Sequence, residues 1–119
     1  MKFSRGEVVL LDYPFSGGTG SKIRPALVVQ NNRDNKRLTN VILAMITTRT
    51  DRAHLEATQL YIDLATPDGR RSGLISNSAV NCVNLFTVHE QRIRQVIGSL
   101  SATLMAQIDA CLKMALELP

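Results

Sequence analysis

The sequence predicts a mainly β fold, a small β-barrel or sandwich covered by one C-terminal helix. Short stretches rich in Val, Ile and Leu recur along the chain, and segments containing Gly or Pro separate them. Only the last part of the chain, from residue 101 onward, has its apolar residues at helical spacing. Because 45% of the 119 residues are hydrophobic, we expect residues 1–119 to form one domain with a core of its own.

The N-terminal part predicts two strands joined by a loop. Gly6–Asp12 is rich in aliphatic residues and predicts the first strand. Pro14–Lys22 is rich in Gly and Ser and predicts a loop. Arg24 and Pro25 then open a second strand, Ala26–Gln30, because the first residue of a strand can lack a ladder hydrogen bond.

The central part predicts further short strands. The polar segment Asn31–Arg37 predicts a turn. Asn40–Thr47 is almost continuously apolar and predicts a third strand that is buried on both faces. Leu60–Leu64 predicts a short strand, Pro67–Gly69 a turn, and Gly73–Ile75 the start of another strand.

The C-terminal part predicts two strands and a helix. Ala79–Val88 and Arg94–Leu100 are the strands, joined by a short helical turn. Ser101 is suited to be the N-cap of the helix, because its hydroxyl can accept a hydrogen bond from a free backbone N–H. The predicted apolar stripe of this helix is Leu104, Ile108, Cys111, Leu112, Ala115 and Leu116. Its far side also carries apolar residues, which predicts a subunit contact there: Ala106, Ala110 and Met114.

The charge of the chain is unevenly distributed. The net charge is +4, and residues 1–50 hold eight Lys or Arg against three acidic residues. A basic half of this kind attracts polyanions, with nucleic acid first among them. The alternative is a surface whose charge serves only solubility.

Two cysteines and the N-terminus indicate the compartment. Cys82 and Cys111 each lie in an apolar stretch, far apart in sequence, so we expect buried, reduced thiols in a cytoplasmic protein. Lys2, Arg5 and Glu7 interrupt the first residues, so we expect no signal peptide. No apolar run approaches the roughly 20 residues that a membrane span needs, so no membrane contact is predicted.

The sequence lacks the motifs of several common catalytic and cofactor sites. His54 and His89 are distant from each other and lack the spacing of metal ligands, so no metal site is predicted. The sequence contains neither a G-x-S-x-G motif nor a P-loop, and its glycine-rich loop does not match a dinucleotide-binding motif. We therefore expect no cofactor.

Two residues remain as candidates for chemistry. Arg24 follows a glycine-rich loop and Lys22, and its guanidinium can hold two phosphate oxygens while loop N–H groups approach the phosphate. Thr47 ends a buried strand, where its hydroxyl can reach a cleft, and Arg49 and Arg52 add positive charge beside it. The alternatives are that Arg24 is only a solvent-exposed residue at the edge of the barrel and that Thr47 is present only because threonine favours strands.

Four stretches of the sequence resemble the MazF/PemK family of toxin–antitoxin toxins. They are GEVVLLDYPFSGGTGSKIRPALVVQN, VILAMITT, GLISNSAVNCVNLFTV and IGSLS. The Arg-Pro pair before an apolar strand, followed by a strand that ends in Ile-Thr, carries the resemblance. It covers nearly the whole chain.

The resemblance implies an SH3-like barrel with a C-terminal helix, forming a homodimer. It implies a metal-independent endoribonuclease that cleaves single-stranded RNA at short sequences through attack of the ribose 2′-hydroxyl, and an acidic antitoxin as partner. Arg24 matches the arginine of the family and would stabilise the charge of the transition state. Thr47 matches its threonine and would hold a phosphate or hydroxyl by a hydrogen bond.

The resemblance and the charge also suggest the residues that contact RNA: Lys22, Thr19, Thr48, Arg49 and Asn84. Thr19 stands where the family often has Glu, and Asn84 where it often has Gln. In the PemK branch an Arg-x-Asp pair supplies acid–base chemistry, and Asn81 and Val83 occupy those positions here.

These departures keep a second function open. A barrel of the same kind could bind nucleic acid without cleaving it, or poison a topoisomerase as the CcdB toxins do. An adaptor that binds Pro-rich peptides is a weaker alternative, because such a groove needs aromatic residues and the chain has only two Tyr and three Phe.

Overall fold

The computed structural model describes residues 2–14 and 21–119. The strands within these residues are β1 (Glu7–Pro14), β2 (Ser21–Val28), β3 (Asn40–Thr47), β4 (Gln59–Ile62), β5 (Ser78–His89) and β6 (Ile93–Ser99). The helices are α1 (Asn32–Arg37), α2 (Pro67–Arg71) and α3 (Ala102–Leu116), with a 3₁₀ turn at Glu90–Arg92. The strands form one sheet in the order β4-β5-β3-β2-β1-β6, and the neighbouring strands are antiparallel. The prediction of a mainly β fold with a C-terminal helix is confirmed.

The sheet does not close into a barrel, which corrects the predicted architecture. β4 and β6 are its two edges. After β4 the chain turns into α2, and residues 71–73 pack directly on the backbone of β6. A Cβ atom at Gly98 would collide with the backbone of Ser72, and one at Gly73 with the carbonyl group of Ile97. Because the chain reaches β6 so soon after β4, the sheet is strongly bent. Residues 71–73 lie beside β6 in the place where a strand would be needed to close a barrel.

Each face of the sheet carries a hydrophobic cluster. Val8 and Leu27 belong to a buried cluster that also contains Ile108 of α3. Val9 and Val28, the next residues along the same strands, belong to a second cluster on the other face. Since successive side chains of a strand point to opposite faces, the sheet separates the two clusters.

β3 has the predicted bounds, but it is buried on both faces only in its second half. Ala44 and Ile46 lie in the cluster under α3. Ile42, on the same face, is 39% exposed. The helix therefore covers only one end of the strand.

Three local predictions were wrong. The segment Asn31–Arg37, predicted as a turn, contains helix α1, because the side chain of Asn31 caps it by accepting a hydrogen bond from the N–H of Asp34 at 2.8 Å. Pro67–Gly69, also predicted as a turn, begins helix α2, because the Thr66 hydroxyl caps that helix by accepting a hydrogen bond from the N–H of Gly69 at 3.0 Å. Gly73–Ile75 is not a strand. Gly73 has φ +74°, a left-handed conformation, and Ile75 is 99% exposed.

Helix α3 begins as predicted. The N–H of Leu104 donates a hydrogen bond to the Ser101 hydroxyl at 3.2 Å. The predicted stripe packs on the sheet, apart from Leu116, which is exposed near the helix end. A salt bridge of 2.7 Å joins Arg5 to Asp109 of the helix.

The two cysteines are buried free thiols, as predicted. Cys82 of β5 and Cys111 of α3 lie in the same hydrophobic cluster. Burial raises the pKa of Cys82 to about 12 and also raises the pKa of Cys111. None of the helices within the described residues is long and apolar enough to cross a membrane.

Candidate functional site

The candidate site lies where β2 and β3 separate. The paired residues of these strands are Val28 with Leu43, Leu27 with Ala44, and Ala26 with Met45. The antiparallel register, continued by two residues, sets Arg24 of β2 opposite Thr47 of β3 on the same face as Ala26 and Met45. The sheet therefore brings these two residues together.

A pocket of about 370 Å³ occupies this place. Its lining residues are Tyr13, Arg24, Pro25, Met45, Ile46, Thr47, Thr48 and Arg49. Tyr13, Pro25 and Met45 give it an apolar wall, and the two arginines add positive charge. An apolar wall with few polar groups is typical of a ligand pocket, and guanidinium groups are suited to phosphate.

Arg24 lies inside a strand and not at the loop–strand junction predicted from the sequence. Strand β2 begins at Ser21, and Arg24 is paired with Leu11 of β1. Pro25, paired with Leu10, is also inside the strand. The β2–β3 pairs begin only after Pro25, so β3 is not paired with β2 at this position. A proline is tolerated where one side of a strand carries no ladder.

Thr47 has a fixed hydroxyl group. Its Oγ1 accepts a hydrogen bond from the backbone N–H of Arg49 at 3.1 Å. A hydroxyl that accepts one hydrogen bond can still donate its own hydrogen. Thr47 can therefore donate to a ligand in the pocket.

Tyr13 is a lining residue that the sequence did not predict. It lies near the end of β1, on the same face as Leu11, and its ring meets the ring of Phe86 edge-on, with centroids 5.2 Å apart and planes at 84°. This contact holds Tyr13 against β5. An aromatic residue two positions after an inward-facing Leu was the available signal.

Of the other predicted site residues, two line the pocket and two lie outside its lining. Thr48 and Arg49 line the pocket. Lys22 is exposed and paired with Tyr13 across β1 and β2, outside the lining. Asn84 donates a hydrogen bond from its amide to the sulfur of Met45 at 3.2 Å, which places it next to this residue of the pocket wall. Thr19 lies outside the described residues.

Asn81 and Val83, which occupy the positions of the Arg-x-Asp pair, are not among the described residues that line the pocket. β5 bulges here, since its pairing with β3 passes from Leu85 directly to Asn81. Within the bulge, the Asn81 side chain accepts a hydrogen bond from the N–H of Val83 at 3.0 Å. The Asn81 side chain therefore stabilises the backbone of the bulge.

The two histidines are at different ends of the sheet. His89 is paired with Asn40 at the start of β3, whereas Thr47 ends that strand. His54 packs on the ring of Tyr61 in β4, with centroids 4.8 Å apart. The described lining residues thus include neither an imidazole nor a carboxylate, and residues 15–20 add none in sequence. The described part of the chain also brings together no group of three His, Cys, Asp or Glu that could hold a metal ion.

A bent antiparallel sheet with a C-terminal helix and a basic, apolar-walled pocket defines a class of small β proteins suited to a phosphate-bearing ligand. The family model of the PemK-like, MazF-like toxins of type II toxin–antitoxin systems matches residues 4–116. The chain therefore belongs to this family.

Named relatives agree with this membership. Endoribonuclease MazF6 of Mycobacterium tuberculosis is 32% identical and the match covers 99% of this chain and 100% of the relative. Endoribonuclease EndoA of Bacillus subtilis is 29% identical, with 99% and 97% covered. Among solved structures, the Mycobacterium tuberculosis toxin MazF-mt6 has a TM-score of 0.76 at 25% identity, covering 95% of this chain and 98% of that chain. A mycobacterial endoribonuclease in complex with its cognate antitoxin shares the fold, with a TM-score of 0.74 at 24% identity over 98% and 96% of the two chains.

Proposed function

We propose that this protein is the toxin of a type II toxin–antitoxin pair and that it cleaves single-stranded RNA without a metal ion or another cofactor. The observation that carries the proposal is the pocket in which the β2–β3 register places Arg24 beside Thr47. The relatives named endoribonucleases support the same activity. We expect the whole chain to act as one toxin domain in the cytoplasm.

The proposed reaction uses the RNA as its own nucleophile. The ribose 2′-hydroxyl oxygen attacks the adjacent phosphorus, and the bond to the 5′ oxygen of the next nucleotide breaks. Water takes the proton of the 2′-hydroxyl and supplies a proton to the leaving 5′ oxygen, so the products are a 2′,3′-cyclic phosphate and a 5′-hydroxyl. Arg24 stabilises the negative charge on the phosphoryl oxygens in the transition state, where a preorganised donor has its largest effect. Thr47 donates a hydrogen bond to the phosphate, and Thr48 and Arg49 hold the neighbouring part of the strand.

The proposed partners follow from the surface and from the relatives. An acidic antitoxin would occupy the basic pocket, and solved relatives include an endoribonuclease with its cognate antitoxin. A homodimer would cover the apolar outer side of α3. Lys22 and Asn84 would contact RNA next to the pocket.

One observation favours a second function. Because the described lining residues include neither a carboxylate nor an imidazole, the pocket residues can supply charge stabilisation and orientation but no evident proton acceptor. A protein that only binds nucleic acid, or that poisons a topoisomerase, would need no such acceptor.

The deciding experiment compares cleavage by three proteins. The purified wild type is incubated with a mixed pool of long single-stranded RNAs, with and without chelator. We expect cleavage that the chelator does not change, and a loss of about a hundredfold or more in Arg24→Ala. Arg92→Ala is the matched control, because Arg92 is an exposed arginine in the 3₁₀ turn, at the other end of β3. A folded wild type that binds the pool but never cleaves it would favour the binding function.

A further inference from the structure

The separation of β2 from β3 has an identifiable chemical cause. The N–H of Val29 donates to the carbonyl oxygen of Ile42 at 3.1 Å. In an antiparallel pair, every second residue of a strand exchanges backbone hydrogen bonds with its partner. After Val29, the next residue of β2 in such a position is Leu27, opposite Ala44. The one after that is residue 25, opposite Ile46. Residue 25 is a proline and has no N–H to donate. The carbonyl oxygen of Ile46 therefore cannot be bonded from β2 at this position.

Ile46 reaches the pocket through its backbone. Its side chain is only 3% exposed and lies in the cluster under α3, on the face away from Arg24 and Thr47. Ile46 nevertheless lines the pocket, so its peptide group must supply the lining atoms. Both polar backbone groups of a strand residue point to the same neighbouring strand, and at Ile46 that neighbour is β2. Its carbonyl group is thus directed toward the gap beside Pro25.

We propose that Pro25 is a positioning residue: it keeps β2 and β3 apart, and so leaves the Ile46 carbonyl oxygen to accept a hydrogen bond from a ribose 2′-hydroxyl of bound RNA. The inference rests on the proposed function. Arg24 and Thr47 flank this carbonyl along the two strands, so a phosphate held by them presents the neighbouring 2′-hydroxyl to it. The carbonyl oxygen orients the attacking hydroxyl through this hydrogen bond but does not remove its proton. The 2′-hydroxyl is also the group by which a protein tells RNA from DNA.

The test restores the missing donor with Pro25→Ala. We expect the new amide at residue 25 to bond to Ile46 and to be protected from hydrogen exchange, with an unfolding temperature at least equal to that of the wild type. We expect kcat/KM on a cleaved RNA to fall about tenfold or more, as for loss of one hydrogen bond to the substrate. The inhibition constant of the all-deoxy strand of the same sequence should change by less than about threefold, because DNA lacks the hydroxyl.

Two controls separate the cause from general effects of losing a proline. Pro67→Ala removes a proline at the N-terminus of α2, far along the chain from the pocket residues, and should leave cleavage unchanged. N-methylalanine at residue 25, introduced by semisynthesis, lacks the N–H as proline does and should restore cleavage.

Each result decides the inference. An unprotected amide in Pro25→Ala would show that the proline does not part the strands. A protected amide with unchanged kcat/KM, or with equal losses for RNA and DNA, would show that the Ile46 carbonyl does not contact the 2′-hydroxyl. If the wild type cleaves no RNA, the proposed function fails and the RNA half of the inference fails with it, while hydrogen exchange still decides the role of Pro25.

Discussion

Arg24 of β2 and Thr47 of β3 occupy facing register positions, two residues beyond the last paired residues Ala26 and Met45. Both belong to strands whose other sides are paired, Arg24 with Leu11 and β3 with β5. The two side chains are therefore held by the sheet itself, and a ligand that contacts both need not order a loop first. This favours a preorganised site.

The hydroxyl of Thr47 is the first group to test. Thr47→Val keeps the shape and β propensity of the side chain but removes its hydrogen bonds. We expect kcat/KM for RNA cleavage to fall about tenfold or more, since a donor to the phosphate is lost. Thr47→Ser keeps the hydroxyl and is the control. Equal activity of the Val and Ser variants would remove Thr47 from the proposed chemistry.

RNA binding should weaken with salt. Each cation that neutralises a phosphate releases a counterion, so the slope of log affinity against log salt is about −0.7 per contact on a single strand. We expect Lys22, Arg24, Arg49 and Arg52 to contribute, and Arg49→Ala to make the slope shallower by about 0.7. Arg52→Ala should have a smaller effect, because Arg52 already lies 3.7 Å from Glu56. Titration by fluorescence anisotropy at several salt concentrations measures the slope, and a flat dependence for the wild type would contradict a basic RNA site.

Much of the fold could be predicted because it depends on local patterns. The aliphatic runs of β1 and β3 and the cap at Ser101 are properties of a few neighbouring residues, and the structure has these strands and this cap. Gly73 shows the limit: its apolar neighbours suggest a strand, but the direct packing of its backbone on β6 is a tertiary contact that no local pattern contains. The short helix α1 was missed because Asn31 is as common in turns as it is at N-caps.

The site was predictable only in part, for a related reason. Arg24 and Thr47 were found from residue type and from the family resemblance. The roles of Pro25 and Tyr13 depend on which residues face each other across three strands. This register of the strands cannot be derived from the sequence. Only the alignment of the strands shows that Pro25 lies opposite Ile46, at a position where another residue would donate a hydrogen bond to the Ile46 carbonyl.

The buried thiols should make the protein less stable at alkaline pH. Burial raises the pKa of Cys82 from its ordinary value of 9.0 to about 12, and burial also raises the pKa of Cys111. Above pH 9 the unfolded chain loses thiol protons that the folded protein keeps, so the free energy of unfolding falls as the pH rises toward 12. Below pH 9 this stabilisation is fully present.

Denaturant unfolding at a series of pH values from 8 to 11 measures this effect. Cys82→Ala should be less stable at every pH because of the cavity, but its stability should fall less steeply with pH. An identical pH dependence of the two proteins would show that Cys82 does not contribute to it.

We expect the protein to be a homodimer that uses the outer side of α3. Ala106, Ala110 and Met114 are exposed there, and two-fold pairing is the commonest way to cover an apolar patch. Ala110→Glu places a charge in the patch and should shift the protein toward monomer in light scattering at tens of micromolar, with Arg92→Glu as the control. A wild type that is monomeric at this concentration would contradict the prediction.

The last prediction concerns inhibition by the antitoxin. A pocket suited to phosphates also accepts carboxylates, and a disordered acidic segment can order on contact with it. Antitoxin and RNA would then need the same guanidinium of Arg24, so inhibition of cleavage should be competitive. Arg24→Glu reverses the charge within the pocket and should weaken antitoxin binding strongly in calorimetry, whereas Arg92→Glu, at the other end of β3, should bind as the wild type does. Undiminished binding of the antitoxin to Arg24→Glu would place its docking surface elsewhere, and inhibition that excess RNA cannot relieve would separate the two sites.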